Sequence, residues 1–206
     1  YNQYEGYRTR FDLGTNAIRT PKLDPQVRDY FIGGRALGLY LLHRGAPART
    51  TPRDPENPLI FSPGPLGGIP QFPGTSKCMA VSLSPLTGIP GVSNFGGHFG
   101  AYLKYAGFDA LVVTGRSERD AVIVIDGLKG DVSVTEAPAA EEVFDLEKEI
   151  SGRFIQAGYE RKNIVFLTTG VGAAHTVYGC INSHYFDPTK SMNGVRGLFR
   201  TKQAGR

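Results

Sequence analysis

The chain has 206 residues, 40% of them hydrophobic and 20% charged, with a formal net charge of +4. That is enough for one large or two small domains with a real core. No apolar run nears the ~20 residues that span a bilayer, and the opening "YNQYEGYRTRFDL" lacks a signal peptide's apolar centre, so a cytoplasmic protein is expected.

In chain order, "YRTRFDL" alternates, with Tyr7, Thr9, Phe11 and Leu13 on one face, and turns at Gly14, Thr15 and Asn16. Asp24 followed by Pro25 reads as an N-cap with proline at the first helical position, predicting a helix to about Ile32. Gly33 and Gly34 break it, and 35–43 read as a second short helix. Strands are predicted in "LIFSPGPL", "KCMAVSLS", "ALVVTG", "AVIVID", "DVSVTEA", "NIVFLTTG" and "TVYGCIN", separated by Gly, Pro or charged turns. Residues 141–157 carry Val143, Phe144, Leu146, Ile150 and Phe154 at helical spacing, with acidic residues early, where they suit the helix dipole. The class is α+β, rich in sheet.

One stretch, "SPLTGIPGVSNFGGHFGAYLKYAGFDALVV" at 84–113, stands apart because glycines fall at 88, 91, 96, 97, 100 and 107. Ordered glycine costs conformational entropy, so such a loop needs positive φ, a close backbone approach, or both. There is no GxxxxGK[ST] phosphate loop, no GxGxxG and no GxSxG nucleophile elbow, and the GxG of "TTGVGAAH" is a weak signal. Histidines 43, 98, 175 and 184 show no helical spacing to a carboxylate or to one another, so they read as structural or surface groups; only His98 lies in the glycine loop. Cys78 and Cys180, in apolar surroundings and without CxxC spacing, are expected to be buried reduced thiols. Residues 184–206 carry Lys190, Arg196, Arg200, Lys202 and Arg206 against Asp187 alone, which reads either as a solvated basic tail or as a segment that folds over phosphates. Aromatic residues are not interleaved with these cations, so nucleic acid is not the expected partner.

"RTRFDLGTNAI", "YFIGGRALGLYLL" (30–42), "DPENPLIFSPGPLGG" (54–68), "SPLTG" (84–88), "SNFGGHFGAYLKYAGFDALVVTG" (93–115) and the closing "KQAGR" follow one another along nearly the whole chain. In this order they resemble the N-terminal domain of the aldehyde:ferredoxin oxidoreductase family of tungsten or molybdenum bis-pterin enzymes; 84–115 is the most specific block. The resemblance implies that 1–206 form a single N-terminal pterin-binding domain. Its two β-sheets and few flanking helices would make the base on which the bis-pterin lies. A flat polyanionic cofactor explains bare backbone, since amide N–H groups can then face phosphate oxygens.

By the same resemblance, Gly96, Gly97 and Gly205 face the cofactor and Arg206 lies beside the second pterin. A magnesium ion between the phosphates takes the backbone carbonyls of Asn94 and Ala204, hard oxygen donors that suit it. Lys77 falls where the family has a phosphate-binding arginine, a departure that leaves a point charge in place of a bidentate fork. Gly33 and Gly34 match family glycines and are expected to serve packing. A branched side chain at Gly96 or Gly97 is expected to abolish cofactor retention while leaving most of the fold intact.

The family's iron–sulfur cysteines and catalytic groups lie beyond the AGR motif, so this chain is expected to be a split subunit or an N-terminal piece, inactive alone. A second departure is a longer loop at about 185–199, and residues 200–206 are expected to order only with the remainder of the enzyme. The implied reaction oxidises an aldehyde to a carboxylic acid, with electrons passing through an iron–sulfur cluster to ferredoxin. Alternatives are the low-potential branch that reduces aromatic thioesters on the same base, and a stand-alone metallopterin carrier.

Overall fold

In the computed structural model, residues 7–15, 17–72, 74–177, 179–187 and 192–197 are described. They form strands β1 (Tyr7–Asp12), β2 (Ala17–Arg19), β3 (Leu59–Pro63), β4 (Cys78–Leu83), β5 (Pro90–Phe95), β6 (Phe108–Thr114), β7 (Ala121–Asp126), β8 (Asp131–Glu136), β9 (Phe166–Thr169), β10 (Ile181–Asp187) and β11 (Met192–Gly197). The helices are α1 (Pro25–Phe31), α2 (Gly34–Gly45), α3 (Phe99–Tyr105) and α4 (Val143–Gln156), with 3-10 turns at Arg161–Asn163 and Val171–His175.

A six-stranded sheet, ordered β2-β1-β6-β3-β4-β5, carries the fold. Within it β1 and β6 run parallel and every other pair is antiparallel. Covering on both faces makes its central strands read as continuous apolar runs. On one face Leu37, Leu41 and Leu42 of α2 meet Ile60, Val81, Ala110 and Val112. On the other, Phe61, Cys78, Ala80, Phe95 and Leu111 meet Leu103 of α3 and Ile181 of β10. Ile60 and Val81 are wholly buried, and each such side chain contributes about 1.5–3 kcal/mol. The class is α+β as the sequence implies, but the described residues divide into three sheets, because β7 and β8 pair only with each other beside the three-stranded β11-β10-β9.

Local signals hold at the first helices. The Asp24 carboxylate accepts the Gln26 N–H at 2.8 Å, Pro25 opens α1, and Ile32 closes it at φ 39°. Four expectations are corrected. Residues 90–95, read within a glycine loop, are strand β5; the hydrogen bonds come from β4, a partner that local propensity cannot show. "TVYGCIN" is not a strand as a whole: Thr176 and Val177 form a bend and Cys180 at φ 46° breaks the extended path, so β10 starts at Ile181. Within the long loop expected at 185–199, residues 192–197 form β11, antiparallel to β10, with Ser183 opposite Arg196 and Tyr185 opposite Gly194. On α4, Phe144 is 69% exposed while Glu147 and Ser151 are buried, because the buried stripe centres one residue further round and Glu147 has a cation to meet.

Asn57 ties the turn at 52–58 to the end of β4. It is buried; its amide nitrogen donates to the Pro52 carbonyl at 2.9 Å, and its oxygen accepts the Leu83 N–H at 3.1 Å and the Ser82 hydroxyl at 3.2 Å. Asn57→Ala leaves two donors on β4 without their acceptor. We expect it to lower unfolding stability by about 2–3 kcal/mol, measured by urea denaturation; a loss below about 0.5 kcal/mol would refute this role.

Candidate functional site

The site expected from the sequence gathers at one end of the β4–β5 hairpin. Cys78 and Phe95 are cross-strand partners, and both are buried in the core. Side chains alternate along a strand, so Lys77, Asn94 and Gly96 lie on the opposite side from that pair. Lys77 and Asn94 are exposed, Gly96 is half-buried, and β5 is the edge strand of its sheet. Three of the expected residues are thereby brought together. Ala204, Gly205 and Arg206 lie outside the described residues, as do Arg200 and Lys202 of the basic tail.

Gly96 and Gly97 join β5 to α3. Gly97 has φ +87°, and a β-carbon there would come within 2.6 Å of the Ser183 hydroxyl on β10. The bareness of Gly97 therefore serves a close approach of protein to protein, which corrects the expectation that a branched residue at 97 would leave most of the fold intact. Helix α3 docks just as closely: a β-carbon on Gly100 would lie 3.0 Å from the Ser76 carbonyl and 3.1 Å from the Cys78 β-carbon. Those two residues flank Lys77, so the glycine turn and Lys77 ride on one packed unit. At the far end of α3, Lys104 forms a nearly buried ion pair with Asp109 at the start of β6.

His98 precedes α3 and makes no side-chain cap. Its ring lies 5.4 Å from Tyr185 and 6.3 Å from Tyr102, whose hydroxyl donates to the Lys162 carbonyl at 2.7 Å. Burial pushes the Tyr102 phenol above its ordinary pKa. This aromatic row escaped the sequence reading because Tyr185 joins it only through sheet pairing. Burial also pushes the Cys78 thiol far up, so it stays protonated and inert; Cys180 is half-buried rather than buried, and both cysteines are free. Among the described residues no group of three or more His, Cys, Asp or Glu could hold a metal. None of their helices is long and apolar enough to cross a membrane.

Behind the turn lies a buried polar cluster. His184 stacks on Phe166 at 4.5 Å and shares a hydrogen bond with the Thr168 hydroxyl at 2.5 Å. Arg161 pairs with the buried Glu147 carboxylate of α4 and donates to the Ile164 carbonyl at 2.9 Å. Burial, reinforced by the Arg161 cation, lowers the His184 pKa from 6.5 to about 4. The unfolded chain thus takes a proton below pH 6.5 that the folded chain refuses until about pH 4. Stability should fall with pH across that window, by at most ~1.4 kcal/mol per unit. Arg161 and Thr168 are the charged and polar groups that act on the ring. Thermal unfolding of the parent between pH 4 and 6.5 should show this slope, and His184→Leu should flatten it; equal slopes in both would refute the assignment.

The fold and the site define an α+β platform that presents a cation, an edge strand and a glycine turn at one end of a hairpin. Residues 9–198 match the family model of the aldehyde ferredoxin oxidoreductase N-terminal domain, and the chain belongs to that family. A tungsten-containing aldehyde ferredoxin oxidoreductase of Pyrococcus furiosus is 40% identical over 116 residues, 56% of this chain and 19% of that protein. The enzyme of the same name from Pyrococcus horikoshii is 33% identical over 159 residues, 72% of this chain and 26% of that protein. The chain spans about a fifth to a quarter of the length of these relatives. The active site complex BamBC of benzoyl coenzyme A reductase, solved with 1,5-dienoyl-CoA, shares the fold. Its TM-score is 0.79 at 22% identity, covering 98% of this chain and 28% of that one.

Proposed function

We propose that this domain is the cofactor base of a tungsten or molybdenum bis-pterin oxidoreductase that converts aldehydes to carboxylic acids. The observation that carries the reading is the exposed end of the β4–β5 hairpin, where Lys77, Asn94 and the Gly96–Gly97 turn meet. The names of the relatives support the metal and the reaction.

The residues present fit such a group. A pterin phosphate needs a cation and accessible amides, and Lys77 and the turn supply both. An edge strand leaves a row of carbonyls outside the sheet, which suits magnesium, and we assign the Asn94 carbonyl to that ion. Ala204 as the second carbonyl, with Gly205 and Arg206 beside the cofactor, completes the proposed set. When bound, the metallopterin supplies two-electron redox chemistry. The chain's own part is to neutralise phosphate charge and to hold the cofactor's plane against exposed backbone. Iron–sulfur ligands, the aldehyde pocket and groups that move protons are assigned to the remainder of the enzyme, as further sequence or a partner chain, with ferredoxin as electron acceptor. We take the enzyme to be cytoplasmic, in keeping with two free cysteines. The likeness of fold to the benzoyl coenzyme A reductase complex favours one second reading, the aromatic-thioester reductase branch on the same base. Assays of dye-linked aldehyde oxidation against thioester reduction separate the two.

Lys77→Ala in the complete enzyme should weaken metal retention by about tenfold to a hundredfold, the worth of one charge-assisted contact, while Lys77→Arg keeps it. Tungsten and molybdenum content after dialysis, measured by elemental analysis, reads this directly. Unchanged content in the alanine variant would sink the Lys77 assignment. Gly96→Val should strip the metal; parental metal content in that variant would count against a cofactor-facing turn.

A further inference from the structure

We propose that Ser183 is a positioning residue for the cofactor turn: it supports Gly97 from the protein side and never touches the cofactor. The proposal rests on the reading of the Gly96–Gly97 turn as cofactor-facing.

Ser183 is completely buried, and its hydroxyl has no hydrogen-bond partner. A buried hydroxyl without a partner opposes folding, whereas alanine of nearly the same size would fill the site without that penalty. Packing alone therefore does not explain a serine at 183. The hydroxyl lies 2.6 Å from where a β-carbon of residue 97 would be, directly against the left-handed turn at φ +87°. Among the described residues the other buried polar atoms without partners lie elsewhere: the Ser62 hydroxyl between β3 and α2, Arg161 Nε and His184 Nδ1 in the cluster behind β10. Ser183 is the one beneath the glycine turn.

The post is rigid. Ser183 pairs in register with Leu167 of β9 and with Arg196 of β11, so β10 is held on both edges. Its neighbour His184, on the opposite face, is fixed by Phe166 and Thr168. On this proposal the 96–97 peptide rotates, when an anion binds above the turn, so that a turn carbonyl accepts from the Ser183 hydroxyl. Donation to that carbonyl fixes the peptide plane and aims the next N–H outward, toward an anion above the turn.

This predicts a signature that a packing role does not. In the complete protein carrying this domain, Ser183→Ala should retain tungsten or molybdenum roughly three- to tenfold less well, the loss of one modest hydrogen bond. The same variant prepared without tungstate or molybdate should melt at or above the parent's temperature. Unchanged metal retention, or a lowered metal-free melting temperature, would overturn the proposal. The contact itself is tested by a pair: Gly97→Ala should lower the metal-free melting temperature, and adding Ser183→Gly should recover part of the loss. No recovery would also overturn it. Failure of the platform reading is distinguishable, since the parent would then hold no metallopterin before any variant is made.

Discussion

The pairing of Cys78 with Phe95 is the constraint on which the rest of the site depends. Both side chains enter the core beside Phe61 and Leu103, which leaves the alternate positions Lys77, Asn94 and Gly96 on the other side. A slip of one residue in that register would bury Lys77 and expose Phe95, a loss of apolar burial and an unpaired buried charge together. The T-shaped contact of Phe61 with Phe95, at 6.1 Å between ring centres, adds to the preference. The display of the polar residues is thus enforced by the hydrophobic ones.

Around that hairpin the packing is unusually close where glycine or serine stands. Gly100 lets α3 approach the strand that starts at Cys78, and Gly97 lets the turn rest on Ser183 of a second sheet. The glycine turn is therefore wedged between two sheets, and its geometry is inherited from both. The buried cluster of Glu147, Arg161, His184 and Thr168 stiffens the sheet on which the turn rests. Breaking a buried ion pair such as Arg161 with Glu147 strands a charge, so the cluster tolerates little rearrangement.

The division of labour in the proposed enzyme follows from this construction. A platform that must hold a flat, doubly phosphorylated group needs rigidity, positive charge and exposed backbone. It does not need titratable groups poised near neutrality. Cys78 is locked as a thiol and His184 as a neutral ring, and neither faces the exposed end of the hairpin. In the proposed enzyme the reactive groups would belong to whatever covers the platform, and the chain spans about a fifth to a quarter of the length of its relatives.

The sequence by itself determined the elements with strong local signals. These were the Asp24–Pro25 start of α1, the glycine break before α2, the apolar strands β3, β4 and β6, and the family, through ordered motifs from 8 to 115 and at the close. It also named Lys77, Asn94 and the glycine pair. It could not show that Pro90–Phe95 is a strand, because Gly91 and Ser93 carry no such propensity and β4 supplies the hydrogen bonds. Nor could it show that Gly97 is bare for the sake of Ser183, since a glycine's reason lies in what stands opposite it. Burial of Glu147 on α4 and the aromatic row from His98 to Tyr185 have the same cause. Each depends on contacts between residues far apart in the chain, and only tertiary structure decides which of those form.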